Sequence, residues 1–259
     1  MTTVRLNSQR AFWQSCTALR QQPLLVCFSL ISLSTHLFGW ALFAAADQVG
    51  SGVLAALLHL LGLVIYVGSL FWLIEGLTRT SLAQVQGEMM SWKALSPLRC
   101  RDSRRLSLCF GTLLGVLGVI ALCTVLLWSL LVLFLPALSV VPVLLGLITA
   151  AAVALSQIFS PCMVADTGLS GSALFRQGVL LLEHHWAGLV VLSCYLIGLV
   201  LLPFVVGLLA EALLEGLGSL ATILSLVVSL PLITTTVASA YWQLRPELTI
   251  PDSIRRSAR

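Results

Sequence analysis

The spacing of charged residues constrains this chain more than any other feature, because five long stretches carry no charge. They contain 26, 27, 60, 27 and 29 residues and occupy positions 21–46, 48–74, 106–165, 184–210 and 216–244. A helix of about 20 apolar residues crosses a bilayer, and the longest stretch crosses twice if it bends at Pro136 and Pro142. The sequence therefore predicts six spans, near residues 24–46, 53–74, 107–134, 140–160, 186–209 and 217–242.

Composition and patterning assign these spans to a fold class. Hydrophobic residues make up 59% of the chain and charged residues 9%, against about 25% charged in an average soluble domain. Apolar residues run continuously within each stretch instead of alternating, which favours helices over the strands of a membrane barrel. We therefore expect an all-α, polytopic membrane protein, with residues 1–245 as one six-span domain and 246–259 as a basic cytoplasmic tail.

The basic residues predict how the spans are oriented. All 14 Lys and Arg residues lie before span one, between spans two and three, between spans four and five, or after span six. The opposite connections carry Asp47, Glu211 and Glu215 and no base. By the positive-inside rule, both termini should face the cytoplasm.

A short pattern recurs before each pair of spans. Ser-x-x-Ala and then a large apolar residue begins at Ser8, Ser91 and Ser170. The segments 8–24, 91–106 and 170–186 therefore suggest three copies of one unit, in which a cytoplasmic helix lies along the headgroup boundary and introduces a transmembrane hairpin. The three serines are expected to be the N-caps of these helices.

The third copy follows the end of span four, in the segment SPCMVADTGLSGSALFRQGVLLLEHHW at 160–186. Pro161 is expected to stop the helix of span four, and Asp166 and Gly168 to form the turn that follows. The interfacial helix should come next, and Trp186 should open span five at the depth where aromatic residues are enriched.

These residues carry a resemblance to a known family. The features that carry it are a proline after a long span, an Asp-x-Gly turn, the Ser-x-x-Ala pattern with Arg176 and Gln177, and an aromatic residue at the next span. Together they resemble a diffuse bacterial family of six-helix integral membrane proteins. This family includes the membrane domain attached to some glycerophosphoryl diester phosphodiesterases. The resemblance implies the fold and a prokaryotic inner (plasma) membrane, and it brings no catalytic residues.

Two histidines are candidate cofactor ligands. His36 falls in span one and His59 in span two, and a polar group in lipid is a candidate functional site by default. A pair on adjacent helices could hold a haem or another tetrapyrrole. The alternative is that each histidine bonds to a neighbouring backbone or hydroxyl group. Otherwise we expect no cofactor and no metal, because zinc-type spacings do not occur.

Other polar side chains are weaker candidates. Glu183, His184 and His185 could bind a metal or act in catalysis, but adjacent helical residues point about 100° apart, which favours a polar collar at headgroup depth. Gln157 and Thr235 could line a polar cavity with the neighbouring threonines, or join helices through hydrogen bonds. The predicted spans contain no Asp, Glu, Lys or Arg, which disfavours ion-coupled transport.

Two further features indicate partners. Gly111, Gly115 and Gly118 form a stripe that suits close helix contact, within the bundle or between two copies of the chain. A cluster of bases between spans two and three would attract anionic lipid headgroups in addition to fixing the topology. Nucleic acid is not expected as a partner, because these bases lie against a membrane. The cluster contains Lys93, Arg99, Arg101, Arg104 and Arg105.

The sequence thus favours a non-enzymatic integral membrane protein that organises the membrane, scaffolds a complex, or handles a lipid or another apolar molecule. A permease or channel for a small solute is the first alternative, and a membrane enzyme or tetrapyrrole-binding protein is the second. Its expected partners are membrane lipids, a second copy of the chain, or another membrane protein.

Overall fold

A computed structural model of the chain describes residues 6–49, 52–88, 100–134, 136–169 and 171–247. Within these ranges every regular element is helical, and six helical segments are long and apolar enough to cross a membrane. The all-α, six-span prediction is therefore confirmed. The helices are α1 Ser8–Gln21, α2 Leu24–Val49, α3 Val53–Val85, α4 Cys100–Phe134, α5 Val140–Ser156, α6 Ser160–Thr167, α7 Ser172–Leu213 and α8 Leu217–Leu244.

The spans coincide closely with these helices, and α5 and α6 together form span four. One helix extends beyond its predicted span in a way that matters for the site. Span two was predicted to end at residue 74, at the first charge, whereas α3 continues to Val85. Glu75, directly after the predicted span, therefore lies inside α3 and is 2% exposed.

Helices α2 and α3 pack through small residues spaced seven apart. A seven-residue spacing keeps one face of a helix toward its partner in a left-handed pair, and small residues let the two backbones come close. At Gly39, an added Cβ would lie 2.9 Å from the backbone nitrogen of Tyr66. The buried stripes are Ser32, Gly39 and Ala46 on α2, and Ala55, Gly62, Ser69, Gly76 and Ala83 on α3.

Helix α8 is the centre of the bundle and packs against α7, α3, α1 and α2. Helix α4, in contrast, packs mainly against α5. Between residues 110 and 134 no residue of α4 is buried. The largest buried apolar cluster lies where α1, α6 and the ends of α3, α7 and α8 meet, and its bulkiest members are Phe159, Met163, Leu174, Leu189 and Tyr241.

The structure bears differently on each of the three predicted interfacial helices. The first predicted helix corresponds to α1, which is a separate helix. Most of the second, over 91–106, lies outside the described residues. The third is the first part of α7, which is continuous with span five. His185 interrupts that helix with φ −128° and ψ 24°, directly before Trp186, where span five was predicted to begin.

Two predicted helix boundaries were wrong. The N-cap of α1 is Asn7, whose side chain accepts from the backbone N–H of Arg10 at 2.9 Å. Ser8 instead donates to the carbonyl of Gly188 at 3.0 Å and ties α1 to α7. Pro161 does not stop the helix of span four. Helix α5 ends at Ser156, and Pro161 lies in the first turn of α6, where its missing N–H costs no hydrogen bond. Ser91 and Ser170, the other predicted caps, lie outside the described residues.

Candidate functional site

One end of the bundle, which we call the basic end, carries the described Arg residues. It comprises α1, α6, the C-terminal ends of α3 and α8, and the N-terminal ends of α4 and α7. The opposite end carries Asp47, Glu211 and Glu215. There the Glu211 carboxylate accepts from the N–H groups of Gly216 and Gly218 at 3.0 and 2.7 Å and closes the α7–α8 turn. The polar chemistry of the molecule is concentrated at the basic end.

A cleft of about 660 Å³ opens at the basic end between α1 and the ends of α3 and α8. We call it the α1 cleft. One guanidinium, two indoles, four amides and two hydroxyls line it, together with two small or apolar side chains. The lining residues are Arg10, Trp13, Gln14, Thr17, Ala18, Gln21, Gln84, Val85, Ser239, Trp242 and Gln243.

Helical periodicity explains how α1 builds its wall of the cleft. Positions 10, 14, 17 and 21 fall on one face of a helix with 3.6 residues per turn, and all four belong to the lining. Ser8, Ala11 and Ser15 lie on the other face and are buried against the bundle. Trp13 stands at the edge of the cleft and is 62% exposed.

The opposite wall is held in place by a buried carboxylate. The side chain of Asp166 is 8% exposed. It accepts two hydrogen bonds from the Arg245 guanidinium at 2.9 Å each and one from the Tyr241 hydroxyl at 2.8 Å. The guanidinium in turn lies 4.4 Å from the centre of the Trp242 ring. Asp166 therefore fixes, through Arg245, the indole that lines the cleft.

Hydroxyl groups join α1, α3 and α8 beneath the cleft. Ser15 and Thr236 share a hydrogen bond of 2.8 Å, and Ser81 lies 3.3 Å from Thr234 and 3.2 Å from Thr235. We call these five side chains the hydroxyl seam. They are buried or nearly so, and in an apolar surrounding each hydrogen bond resists separation of the helices.

An ion pair lies on α3 close to this region. The Arg79 guanidinium donates to the Glu75 carboxylate one helical turn away, and the two side chains are 10% and 2% exposed. A buried carboxylate without its cation would be strongly destabilising. Sequence reasoning missed this pair because it ended span two at Glu75, although the spacing of four residues was visible.

Gln84 contributes a further polar group to the cleft wall. Its Nε2 donates to the backbone carbonyl of Ala18 on α1. Because a carbonyl only accepts, this contact fixes which end of the amide carries the hydrogens. The buried Oε1 has no hydrogen-bond donor among the described residues. Because this oxygen is buried, a molecule in the cleft does not reach it in this arrangement of the side chain.

The two candidate cofactor ligands do not face one another. His36 lies 3.1 Å from the Ser69 hydroxyl and 3.3 Å from the Tyr66 carbonyl. His59 bonds to the Ala55 carbonyl at 2.9 Å, and its Nε2 lies 3.3 Å from the Asp47 carboxylate. Each histidine therefore makes the kind of local contact that the sequence gave as the alternative. Cofactor binding by this pair stays a prediction.

The other candidate polar residues lie apart from the cleft. Gln157 is buried, accepts from Ser160 at 2.7 Å and donates to Ser156 at 3.0 Å. Thr235 belongs to the hydroxyl seam, and neither residue lines the α1 cleft. Within the described ranges, no three His, Cys, Asp or Glu side chains come close enough to hold a metal ion.

The predicted polar collar of Glu183, His184 and His185 lies where the interfacial helix meets span five, and it is largely exposed. Glu183 and His184 are exposed, and His185 is partly buried at the kink. The imidazole of His184 bonds to the Leu180 carbonyl at 2.8 Å, one turn earlier in the same helix.

Two members of the basic cluster can be located with their side chains. Arg104 is exposed on the first turns of α4. The Arg105 guanidinium packs over the turn after α6, where Gly168 has a φ of +66° and an added Cβ would lie 2.5 Å from it. Lys93 and Arg99 lie outside the described residues, as does the side chain of Arg101.

Sequence reasoning did not find the α1 cleft. The polar face of α1 could be read from the spacing of residues 10, 14, 17 and 21. Its other walls could not, because Gln84 reaches Ala18 across 66 residues of sequence.

The fold and the cleft together define a multi-pass, α-helical membrane protein with a polar cleft at one end of its bundle. Compared with known proteins, the chain matches no family model, no curated protein and no solved structure. The resemblance to the membrane domain of certain phosphodiesterases therefore stays a prediction.

Proposed function

We propose that the α1 cleft holds the polar headgroup of an amphiphilic molecule, and that the protein binds and handles a membrane lipid. The observation that carries this proposal is the place of the cleft. It is a polar recess of about 660 Å³ between the last turns of α3 and α8, where these helices leave their apolar segments. A lipid at this position would keep its chains beside apolar helix surfaces and its headgroup in the cleft.

The lining suits a headgroup at the membrane boundary. Binding sites for small molecules combine aromatic surface with a few polar groups that fix orientation. Trp13 and Trp242 supply the aromatic surface, and indoles favour this depth because one edge is polar and the rest is apolar. Arg10 and the amides supply the polar groups.

The orientation of the protein is part of the proposal. The basic end faces the cytoplasm, and both termini lie there, because all 14 bases of the sequence flank the spans on this side. The α1 cleft then opens to the inner leaflet of a prokaryotic inner membrane. The bases around it attract anionic lipids at about 1 kcal/mol each near the surface.

The lining supports binding more than catalysis. Acid–base and nucleophilic mechanisms need a titratable side chain close to the reacting atoms. The described lining residues include no His, Cys, Asp or Glu. The hydroxyls of Thr17 and Ser239 therefore have no base within the cleft that could activate them.

Native mass spectrometry of protein extracted in native nanodiscs tests the proposal. The variant Thr17→Trp fills the cleft, and Thr149→Trp is its matched control. Both threonines are exposed and donate to the carbonyl four residues earlier, but Thr149 lies on α5, away from the cleft. We expect the wild type and Thr149→Trp to retain the same amphiphile, and Thr17→Trp to lose it. Equal retention by all three proteins would show that the α1 cleft does not bind it.

A further inference from the structure

The chemistry of the cleft narrows the class of headgroup. Resting on the function proposed above, we propose that the α1 cleft recognises an uncharged, hydroxyl-rich headgroup, such as a sugar or another polyol carried by a lipid. The inference depends on three features of the lining, namely its charge, its amides and its indoles.

The charge of the lining disfavours a cationic headgroup. Arg10 is the one charged residue of the described lining, and no carboxylate faces it there. An ammonium group would lack a counter-ion and would be repelled by the guanidinium. Arg10 is itself exposed, so water screens much of its attraction for an anion. Charge alone therefore does not select the ligand strongly.

The amides favour a headgroup that both donates and accepts hydrogen bonds. Gln14 and Gln21 line the cleft, and both side chains are exposed. Each amide has an oxygen that accepts and a nitrogen that donates, and a hydroxyl likewise does both. A fully ionised phosphate offers no hydrogen to an amide oxygen, whereas a hydroxyl does.

The indoles match the apolar face of a sugar ring. A pyranose ring has an apolar face of C–H groups, and flat aromatic surface excludes water from such a face. Trp13 is 62% exposed at the edge of the cleft. The Arg245 guanidinium lies 4.4 Å from the centre of the Trp242 ring. This contact restrains the ring before a ligand binds, which lowers the entropy lost on binding.

A competition experiment tests the headgroup class with the whole protein. Phosphatidylcholine nanodiscs would contain equal small fractions of three lipids with identical acyl chains, namely monoglucosyl diacylglycerol, diacylglycerol and phosphatidic acid. Native mass spectrometry would measure which lipid stays bound. We expect the glucosyl lipid to be retained about tenfold over diacylglycerol, since one or two net hydrogen bonds of about 1 kcal/mol each give such a ratio.

Two variants assign this preference to the cleft. Gln14→Leu removes an exposed amide of the lining at similar size and should lower the preference severalfold. Gln86→Leu replaces an exposed glutamine that does not line the cleft and should leave the preference unchanged. Preferential retention of phosphatidic acid would overturn the inference about the headgroup and leave the proposed function standing. Retention of none of the three lipids, together with wild-type lipid retention by Thr17→Trp, would overturn both.

Methyl glucoside distinguishes a lipid headgroup from a free sugar. It carries the same hydroxyls without acyl chains, so it should displace the glucosyl lipid only at far higher concentration. Displacement at equal concentration would show that the cleft binds free sugars, and would overturn the proposal that the bound headgroup belongs to a lipid.

Discussion

The hydroxyl seam between α1, α3 and α8 buries polar side chains, whereas the hairpin of α4 and α5 exposes apolar ones. The seam holds five Ser and Thr hydroxyls in contact across three helices. In α4, no residue between 110 and 134 is buried. Leu133 and Phe134 there are 75% and 70% exposed.

The difference follows from the solvent. Lipid tails are as apolar as leucine, so apolar side chains gain little by leaving lipid for the interior. Polar side chains gain much, because lipid offers them no hydrogen bonds. The tightly joined region of this protein is therefore its polar end, and the α4–α5 hairpin is the loosely joined region.

Arg79→Ala should destabilise the polar end more than any other substitution proposed below. It leaves the Glu75 carboxylate, 2% exposed, without the cation that the structure pairs with it. Removing one partner of a buried ion pair costs about 3–5 kcal/mol, and the free energy of unfolding in mixed micelles would measure it. Arg20→Ala, which removes an exposed base from α1, serves as the control. A loss no larger for Arg79→Ala than for Arg20→Ala would mean that the ion pair does not support the bundle.

Paired glycine substitutions compare the closely packed helix α3 of the tightly joined region with helix α4 of the loosely joined hairpin. At Gly76 an added Cβ would lie 2.3 Å from the ring of Phe28, which is 0% exposed. Overpacking of this kind costs about 1–3 kcal/mol. At Gly115 nothing lies within 4 Å of the added atom, and alanine there favours the helix by up to about 1 kcal/mol.

We therefore expect Gly76→Ala to lower the thermal stability of the detergent-solubilised protein and Gly115→Ala to maintain or raise it. Destabilisation by Gly115→Ala would instead show that the stripe of Gly111, Gly115 and Gly118 packs against a second copy of the chain. Size-exclusion chromatography with light scattering would then record the loss of a dimer.

Asp166→Asn should have the smallest effect on stability and a larger one on the cleft. The neutral amide keeps the size of the carboxylate but weakens its hold on Arg245, which is 38% exposed. Because the pair is partly solvated, we expect about 1 kcal/mol or less in unfolding free energy. Lipid retention should fall more clearly, since the Trp242 ring loses its support. Asp166→Glu should restore part of it. Unchanged retention in Asp166→Asn would show that Asp166 does not position this wall.

The sequence predicted the elements well because the bilayer fixes their length and composition. Charge-free stretches located all six spans. Trp186 was predicted to open span five, and the helix is kinked at His185, directly before it. The seven-residue spacing of Gly62, Ser69 and Gly76 could also have predicted the α2–α3 contact. The stripe at Gly111, Gly115 and Gly118 was a weaker guide, because nothing in the described chain packs against it.

The candidate site was harder to predict because its parts are distant in the sequence. A single charge at Glu75 was taken as the end of a span, although pairing with Arg79 allows a carboxylate to stay buried. The support of Trp242 depends on Asp166, 79 residues before Arg245. Such contacts are set by how α6 and α8 pack and leave no local pattern.

Photo-crosslinking from the two regions tests the central claim most directly. A photoreactive amino acid would replace Thr17 in the α1 cleft or Leu127 on α4, which is 54% exposed. Mass spectrometry would then compare the crosslinked lipids with those of the whole membrane. The account predicts bulk lipid composition at position 127 and one strongly enriched amphiphile at position 17. Bulk composition at both positions would contradict it.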